Sequence, residues 1–297
     1  MEPKTILVAT DLSETGDEAI RCAAARARAD GARLVGVHVV PDLQRVAPLF
    51  PQVQASAAVD LARWHADLAD ELARRLAAEG GDGATHGRAF VDEGSAADRI
   101  IERAERLHAE LVVVGARTGG LGRVAAQVVR HAPCPVLIAR AGAHAGPILV
   151  ATDFSDPAFP ALVAGAAEAR RATSGMVAIH VVDGLRALVV MATPIPLDLT
   201  AHEAVRQRAL ADGARELEEV MARLEIQGEA LIDEGLPAER VVAAARRLDA
   251  RQIVVGSVGR DGLGRLLLGS VAEEIAHTAP CSVLAVRLHR RRAASAS

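Results

Sequence analysis

The chain has 297 residues, 51% of them apolar, which is enough for two ordinary domains with sizeable cores. Its net charge of −4 argues against general nucleic-acid binding, and a chain with no Tyr, four Phe and one Trp offers no aromatic platform for stacking bases. No apolar run is long enough to span a membrane, and the first residues do not resemble a signal peptide. We therefore expect a cytoplasmic protein with neither a membrane nor a nucleic acid as partner.

The sequence of the first half returns in the second half. TILVATDLSE recurs as PILVATDFSD, LVGVHVV recurs as MVAIHVV, and residues 91–115 match residues 232–256 at twelve of 25 positions. An offset of 141 to 142 residues indicates duplicated domains rather than a solenoid. We predict domains at 1–142 and 146–290, joined through the small residues of AGAHAG, and a basic disordered tail at 291–297.

Each half contains five short apolar runs, separated by segments rich in Ala, Arg and Glu with helical spacing. Most runs are continuous and rich in Val and Ile, as expected for strands that are buried on both faces. The alternation predicts an α/β protein of two tandem doubly wound domains, each with a five-stranded parallel sheet flanked by helices. The predicted strands are Ile6–Thr10, Leu34–Val40, Ala89–Val91, Leu111–Val114, Val136–Ala139, Ile148–Thr152, Met176–Val182, Ala230–Ile232, Ile253–Val255 and Val283–Val286.

Local signals mark helix starts and one long loop. TGDE at Thr15 resembles a capping box, and Asp156-Pro157 would place a proline in a first helical turn. The segment Leu185–Thr200 is interrupted by prolines, and we predict that it makes an excursion over the end of a strand.

A glycine-rich segment, GSVGRDGLGRLLLGS, follows the fourth apolar run of the second half. In open parallel sheets ligands bind beyond the carboxyl ends of the strands, and glycines there let backbone amides approach an anion. The last residue, Ser270, could cap the next helix or give its hydroxyl to a phosphate. No lysine is present, so this is not a Walker loop, and Arg265 could touch phosphate or be a solubilising charge. A flexible surface turn remains the structural alternative.

Both halves resemble the universal stress protein family, and the pair resembles its tandem members. The nucleotide-binding branch of that family carries the pattern G-x2-G-x9-G-[ST], which Gly256, Gly259, Gly269 and Ser270 match without a gap. The resemblance implies that the backbone at the three glycines and the Ser270 hydroxyl hold the phosphates of ATP, with the need for magnesium left open.

The same resemblance implies a nucleoside end for this site. Asp153, after the first strand of the second half, would lie near the ribose and adenine, and the backbone of Val181 would read the adenine edge. The first half retains these two positions as Asp11 and Val39. Asp also suits the start of a strand-to-helix connection, so a simple turn role for Asp11 and Asp153 stays open.

The first half departs from the pattern at its phosphate end. Gly122 and Arg123 occupy the positions of Gly269 and Ser270, and only six residues separate Gly115 from Gly122, against twelve in the second half. This shortened, degenerate loop leaves little backbone to fold round a triphosphate. We therefore predict one ATP site per chain, in the second half, and leave open a smaller adenine ligand in the first.

Other polar residues have simpler explanations. His38 and His180 sit inside apolar runs and are predicted to be hydrogen-bonded core histidines rather than ligands. The DEG repeats at Asp92 and Asp233 resemble metal or acid–base carboxylates, but a strand-to-helix turn explains both.

The three cysteines, Cys22, Cys134 and Cys281, show no metal-ligand spacing and indicate buried thiols in a reducing compartment. Cys134 and Cys281 each follow a proline and precede a strand, so inert burial is favoured over redox chemistry for these two.

The resemblance favours a nucleotide-dependent signalling or stress-tolerance module, with ATP as its ligand. A slow ATPase is one alternative, although Asp153 is the only obvious carboxylate for it, and a scaffold that binds no nucleotide is another. The family's domains pair, so we expect a pseudo-dimer within the chain and a possible homodimer of chains.

Overall fold

A computed structural model describes residues 4–42, 61–80, 88–117, 120–154, 159–184, 199–256 and 269–287. The chain divides into two compact units, Met1–Ala141 and Gly142–Ser297. Each unit is an α/β domain in which helices flank a sheet of five parallel strands. The predicted fold class is thereby confirmed.

The first unit alternates strands and helices along its length, and its strand order is β3-β2-β1-β4-β5. Its elements are β1 Thr5–Ala9, α1 Glu14–Asp30, β2 Arg33–Val40, α2 Leu61–Gly80, β3 Ala89–Glu93, α3 Ala96–Arg106, β4 Leu111–Gly115, α4 Arg123–His131 and β5 Val136–Ala139.

The second unit repeats this pattern with strand order β10-β9-β6-β7-β8. Its elements are β6 Ile148–Ala151, α5 Phe159–Ala172, β7 Met176–Val182, α6 Leu199–Arg223, β8 Glu229–Glu234, α7 Pro237–Arg247, β9 Gln252–Gly256, α8 Ser270–Thr278 and β10 Ser282–Val286.

All ten predicted strands are present, and the central ones carry the core of each unit. Leu7 and Val8 in β1, like Leu149 and Val150 in β6, are fully buried because helices cover both faces of the sheet. In each unit the second and third strands lie on one side of the first strand, and the fourth and fifth strands lie on its other side. This reversal places a crevice at the carboxyl ends of the first and fourth strands, β1 and β4 or β6 and β9.

The predicted capping box at Thr15 is wrong by two residues. Helix α1 begins at Glu14, and its N-cap is Ser13, whose side chain accepts a hydrogen bond from the Gly16 amide at 3.4 Å. Glu14 and Asp17 then place negative charge in the first turn, where it is favourable. Asp156-Pro157 and most of Leu185–Thr200 lie outside the described residues, so these two predictions stay open.

The two DEG repeats are strand-to-helix turns, as predicted. Gly94 and Gly235 have φ of 129° and 130°, a conformation that glycine adopts at little cost. The aspartate of each repeat forms an ion pair with an arginine of the helix that follows. Asp92 pairs with Arg103, and Asp233 pairs with Arg240 at 2.7 Å. These pairs tie the end of a strand to the helix that follows it.

No helix in the described part of the chain is long and apolar enough to cross a membrane.

Two helix-interior glycines of the second unit differ in the space around them, which gives a test of the packing. A Cβ added to Gly165 in α5 would lie 2.2 Å from Cγ2 of Val150 in β6, whereas one added to Gly213 in α6 would lie 3.6 Å from the nearest atom. Gly165→Ala should lower the free energy of unfolding by about 1–2 kcal/mol, because overpacking outweighs the gain in helix propensity.

Gly213→Ala is the matched control, and it should raise the free energy of unfolding by up to about 1 kcal/mol. Urea titrations followed by circular dichroism would measure both. Equal stabilisation by the two alanines would show that α5 does not pack closely on β6.

Candidate functional site

The first strand of each unit ends in the same turn. The Thr10 hydroxyl accepts a hydrogen bond from the Leu12 amide at 3.0 Å, and Thr152 accepts one from Phe154 at 3.2 Å. Leu12 and Phe154 have φ of 62° and 61°, a left-handed conformation that is uncommon for residues other than glycine. Each unit therefore holds a strained turn at its crevice, directly beside the candidate aspartate.

Asp11 has the turn role that the sequence left open, and it also lies at the crevice. Its Oδ1 accepts hydrogen bonds from the backbone amide of Ser13, at 3.0 Å, and from the Ser13 hydroxyl. Burial alone would raise the pKa of Asp11, but these hydrogen bonds from Ser13 lower the pKa below its ordinary value. The carboxylate is therefore ionised at neutral pH and acts only as an acceptor. In the second unit Asp153 follows β6 at the same point and is half-buried.

The two histidines support these turns. Nδ1 of His38 lies 2.9 Å from the Thr10 carbonyl oxygen, and Nδ1 of His180 lies 2.9 Å from that of Thr152. A carbonyl only accepts, so Nδ1 is the protonated nitrogen in both rings. The prediction that both are hydrogen-bonded structural residues is confirmed, although both are half-buried rather than fully in the core.

Beyond the end of β1, the backbone of β2 faces open space. The Val37 carbonyl accepts a hydrogen bond from the Thr10 amide at 3.1 Å, so the polar groups of Val37 point toward β1. Val39, two residues later, directs its N–H and C=O to the same side. Since β1 ends at Ala9, which pairs with Val37, the polar groups of Val39 point past the strand's end into the crevice.

The second unit has the same arrangement. The Ile179 carbonyl accepts a hydrogen bond from the Thr152 amide at 3.0 Å, and Val181 directs its backbone groups to the same side. The pairing of β6 with β7 ends at Ala151 and Ile179. The backbone of Val181 thus presents one donor and one acceptor to the crevice.

A cavity of about 770 Å³ fills the crevice of the first unit. Its walls are the end of β1 (Ala9, Thr10, Asp11), β2 (Val37, Val39), the start of α1 (Thr15, Gly16), α3 (Ala96, Ile100), the end of β4 with the turn after it (Val114, Gly115, Ala116, Arg117, Gly120, Leu121) and the start of α4 (Gly122, Arg123, Val124, Ala125). Both nucleoside-side candidates of this half, Asp11 and Val39, therefore line one cavity.

The helices that follow the fourth strands start without a side-chain cap. Gly122 is the N-cap of α4 and Gly269 is the N-cap of α8. Ser270 is the first residue of α8, so the alternative that it caps this helix is wrong. The amides of both first turns are left for another acceptor, and the helix dipole favours an anion there.

In the second unit, the candidate residues within the described ranges converge on one edge of the sheet. Asp153, Val181 and Gly256 lie at the carboxyl ends of β6, β7 and β9, which are neighbours in the order β9-β6-β7. Gly269 and Ser270 begin α8. Gly259 and Arg265 belong to residues 257–268, which lie outside the described ranges.

Arg75 on α2 is a site residue that the sequence did not reveal. Its guanidinium donates to the Leu12 carbonyl at 2.8 Å, to Asp17 at 2.6 Å and to Glu71 at 2.6 Å. It thus holds the left-handed turn beside Asp11. Its pKa is raised, first by the hydrogen bond to Glu71 and then by that to Asp17. Apart from Glu71, these partners are distant in sequence, so no local motif could have indicated them.

The described residues offer no group of three His, Cys, Asp or Glu side chains placed to hold a metal ion. Cys134 and Cys281 are 1% and 0% exposed, which confirms their predicted burial, whereas Cys22 is only partly buried. Burial, followed by the charge of Glu18, raises the pKa of the Cys22 thiol to about 12. The thiolate is thus suppressed at physiological pH.

Comparison with known proteins agrees with this architecture. A model described as the universal stress protein family matches residues 2–140 and 145–287. A universal stress protein from Mycolicibacterium smegmatis is 28% identical over 296 residues, which cover 95% of this chain and 96% of that protein.

Two further matches cover one half and the whole chain. A universal stress protein from Thermus aquaticus, described by its position in the QAH/OAS sulfhydrylase 3′ region, is 33% identical over 143 residues, or 47% of this chain and 97% of that protein. A crystal structure of a universal stress protein from Archaeoglobus fulgidus covers 97% of this chain and 99% of its own, with a TM-score of 0.65 and 20% identity. At that identity the structural likeness shows the fold alone.

The role of Arg75 can be tested by measuring how its substitution changes the free energy of unfolding. Arg75→Met keeps most of the side-chain stem but removes the guanidinium from Leu12 and Asp17, and should lower the free energy of unfolding by about 1 kcal/mol after discounting for partial exposure. The adjacent Arg74 also pairs with Glu71 but is 73% exposed, so Arg74→Met is the matched control and should leave stability unchanged. Urea titration measures both, and equal effects would remove any special role of Arg75.

Thiol reactivity tests the environment of the cysteines. At pH 8 the native protein should react with an aromatic disulfide reagent far more slowly than the denatured chain, which should release three thiols per molecule. The reason is burial at Cys134 and Cys281 and the raised pKa at Cys22. The exposed variant Arg106→Cys provides a positive control. Rapid titration of one thiol in the native protein would show that Cys22 carries a thiolate.

Proposed function

The chain belongs to the universal stress protein family, and from that premise we propose that it binds ATP in its second unit and acts as a nucleotide-dependent signalling module in stress tolerance. The observation that carries the proposal is the spacing of Gly256, Gly259, Gly269 and Ser270 between a buried strand and a helix. Glycines at three of these positions leave room for the backbone to approach phosphate oxygens.

The described geometry of the second unit supports the nucleoside end of this proposal. The N–H and C=O of Val181 form an adjacent donor and acceptor beyond the end of β6, which suits the edge of a purine base. Asp153 lies just after the end of β6, the strand that pairs with β7. In this position it would accept hydrogen bonds from ribose hydroxyls. In this proposal Asp153 orients the nucleoside rather than activating a water.

The phosphate end is supported by the start of α8. Gly269 leaves the first amides of this helix without a side-chain cap, and the Ser270 hydroxyl is not needed for capping. Amides, hydroxyl and helix dipole together suit an anionic ligand. The first unit has Arg123 instead of the serine and a shorter connection, so we propose one ATP per chain.

Calorimetric titration with ATP tests the proposal. The wild-type chain should bind one ATP, and Gly269→Val with Ser270→Ala should weaken binding by about 10- to 100-fold, because hydrogen bonds to charged phosphate oxygens are lost. The matched control is Gly175→Val with Ser174→Ala, a glycine–serine pair at the amino end of β7, where the Ser174 hydroxyl bonds to Gly146. Absence of ATP binding by the wild-type chain would favour a scaffold, unchanged affinity in the first variant would place the ligand elsewhere, and two equivalent sites would refute the single-site proposal.

The state of the purified protein provides a second test. Native mass spectrometry of the chain isolated without added nucleotide should show one adenine nucleotide per chain and should report whether chains form the proposed homodimer. The Gly269→Val, Ser270→Ala variant should lose the mass of ATP and keep its fold. Retention of ATP by this variant would place the ligand elsewhere.

A further inference from the structure

We propose that Asp249 anchors the linker Ala141–Gly146 to the second unit, so that the linker works as a fixed strap with a releasable anchor rather than as a flexible tether. The linker consists of small residues and one histidine. From Gly142 onward it belongs to the second compact unit, as does Asp249, which lies in the turn between α7 and β9. The anchoring contacts are therefore made within one unit.

Asp249 holds the linker with both its side chain and its backbone. One carboxylate oxygen, Oδ1, accepts a hydrogen bond from Nδ1 of His144 at 2.8 Å, and the other accepts one from the Ala145 amide at 3.1 Å. The Asp249 carbonyl accepts a third hydrogen bond, from the Gly146 amide at 3.0 Å. The hydrogen bond from His144, followed by that from Ala145, lowers the pKa of Asp249, so the carboxylate is ionised at neutral pH. Three consecutive linker residues are thus bonded to one residue.

Two glycines let the linker lie this close to the turn. A Cβ added to Gly146 would lie 2.1 Å from the carbonyl oxygen of Leu248 and 2.5 Å from that of Asp249, so no other residue fits there without displacing the backbone. Gly142 has a φ of 148°, which favours glycine, and a Cβ there would lie 2.8 Å from Nε2 of His144. Glycines that would make a free linker flexible here allow close contact with the second unit.

The first unit has the same turn with a different residue at the anchor position. His108, before β4, takes the place that Asp249 has before β9, and both residues are left-handed, with φ of 47° and 48°. An imidazole ring lacks the two oxygens with which the carboxylate accepts two hydrogen bonds. Lys4, which precedes β1, pairs with Glu110 at 3.3 Å instead, and both side chains are more than half exposed, so this pair contributes little. The carboxylate at position 249 therefore distinguishes the second turn.

Anchoring shortens the free connection between the units. With the residues from Gly142 to Gly146 held, Ala141 is the linker residue that belongs to the first unit. Release of the anchor would lengthen the free connection by up to about 3.3–3.6 Å for each residue that is freed. The anchor lies at the amino end of β9, whereas the candidate nucleotide site lies at the carboxyl ends of the strands. This inference is therefore independent of the proposed function.

Amide hydrogen exchange in the full chain, followed by nuclear magnetic resonance, tests the anchor. The Ala145 amide should exchange at least about 10-fold more slowly than in a short peptide of the linker sequence. Asp249→Gly removes the carboxylate but suits the left-handed backbone, and it should abolish most of this protection because the acceptor of the Ala145 amide is lost. The matched control, His108→Gly, makes the same backbone change in the equivalent turn of the first unit and should leave the exchange rate unchanged.

His144→Ala is a second variant, which leaves the turn itself unchanged. It should raise the exchange rate of Ala145 by about 2- to 5-fold, less than Asp249→Gly does, because one hydrogen bond to the carboxylate is lost and the other remains. Added to Asp249→Gly it should have no further effect, since the two side chains act as a pair. Three results would overturn the proposal: exchange of Ala145 in the wild-type chain as fast as in the peptide, equal effects of Asp249→Gly and His108→Gly, or full additivity of the two anchor substitutions.

Discussion

Both candidate sites depend on the early end of the first strand of each unit. Ala9 pairs with Val37, but β2 continues to Val40, and the same difference separates β6 from β7. In a continuous ladder the inward-facing polar groups of Val39 and Val181 would bond to a neighbouring strand. Because the first strand stops, these groups are available to a ligand at the point where the strand order reverses.

The turn that stops the strand is built identically in the two units but is supported differently. The threonine hydroxyl and the histidine ring recur, since Thr10 with His38 and Thr152 with His180 make the same hydrogen bonds. In the first unit Arg75 additionally holds the Leu12 carbonyl. In the second unit Phe154 stacks on His180, with ring centroids 4.0 Å apart. Duplication thus preserved the backbone geometry while the supporting contacts diverged.

The two units differ most in the connection from the fourth strand to the next helix. The candidate nucleoside-side positions, an aspartate and a valine, recur in both units. The connection has six residues after Gly115 and twelve after Gly256. The proposal of a single ATP site, in the second unit, therefore depends on the length of this connection.

The sequence by itself determined the tandem α/β fold, because buried parallel strands require continuous apolar runs and the repeat copies them in order. It also indicated Asp11, Val39, Asp153 and Val181 as equivalent pairs. It misplaced the start of α1, since Thr15 and Ser13 carry similar capping chemistry and only the backbone dihedral angles distinguish them. The tertiary structure alone decided the cavity of the first unit and the role of Arg75, because these depend on side chains that meet across distant segments of the chain.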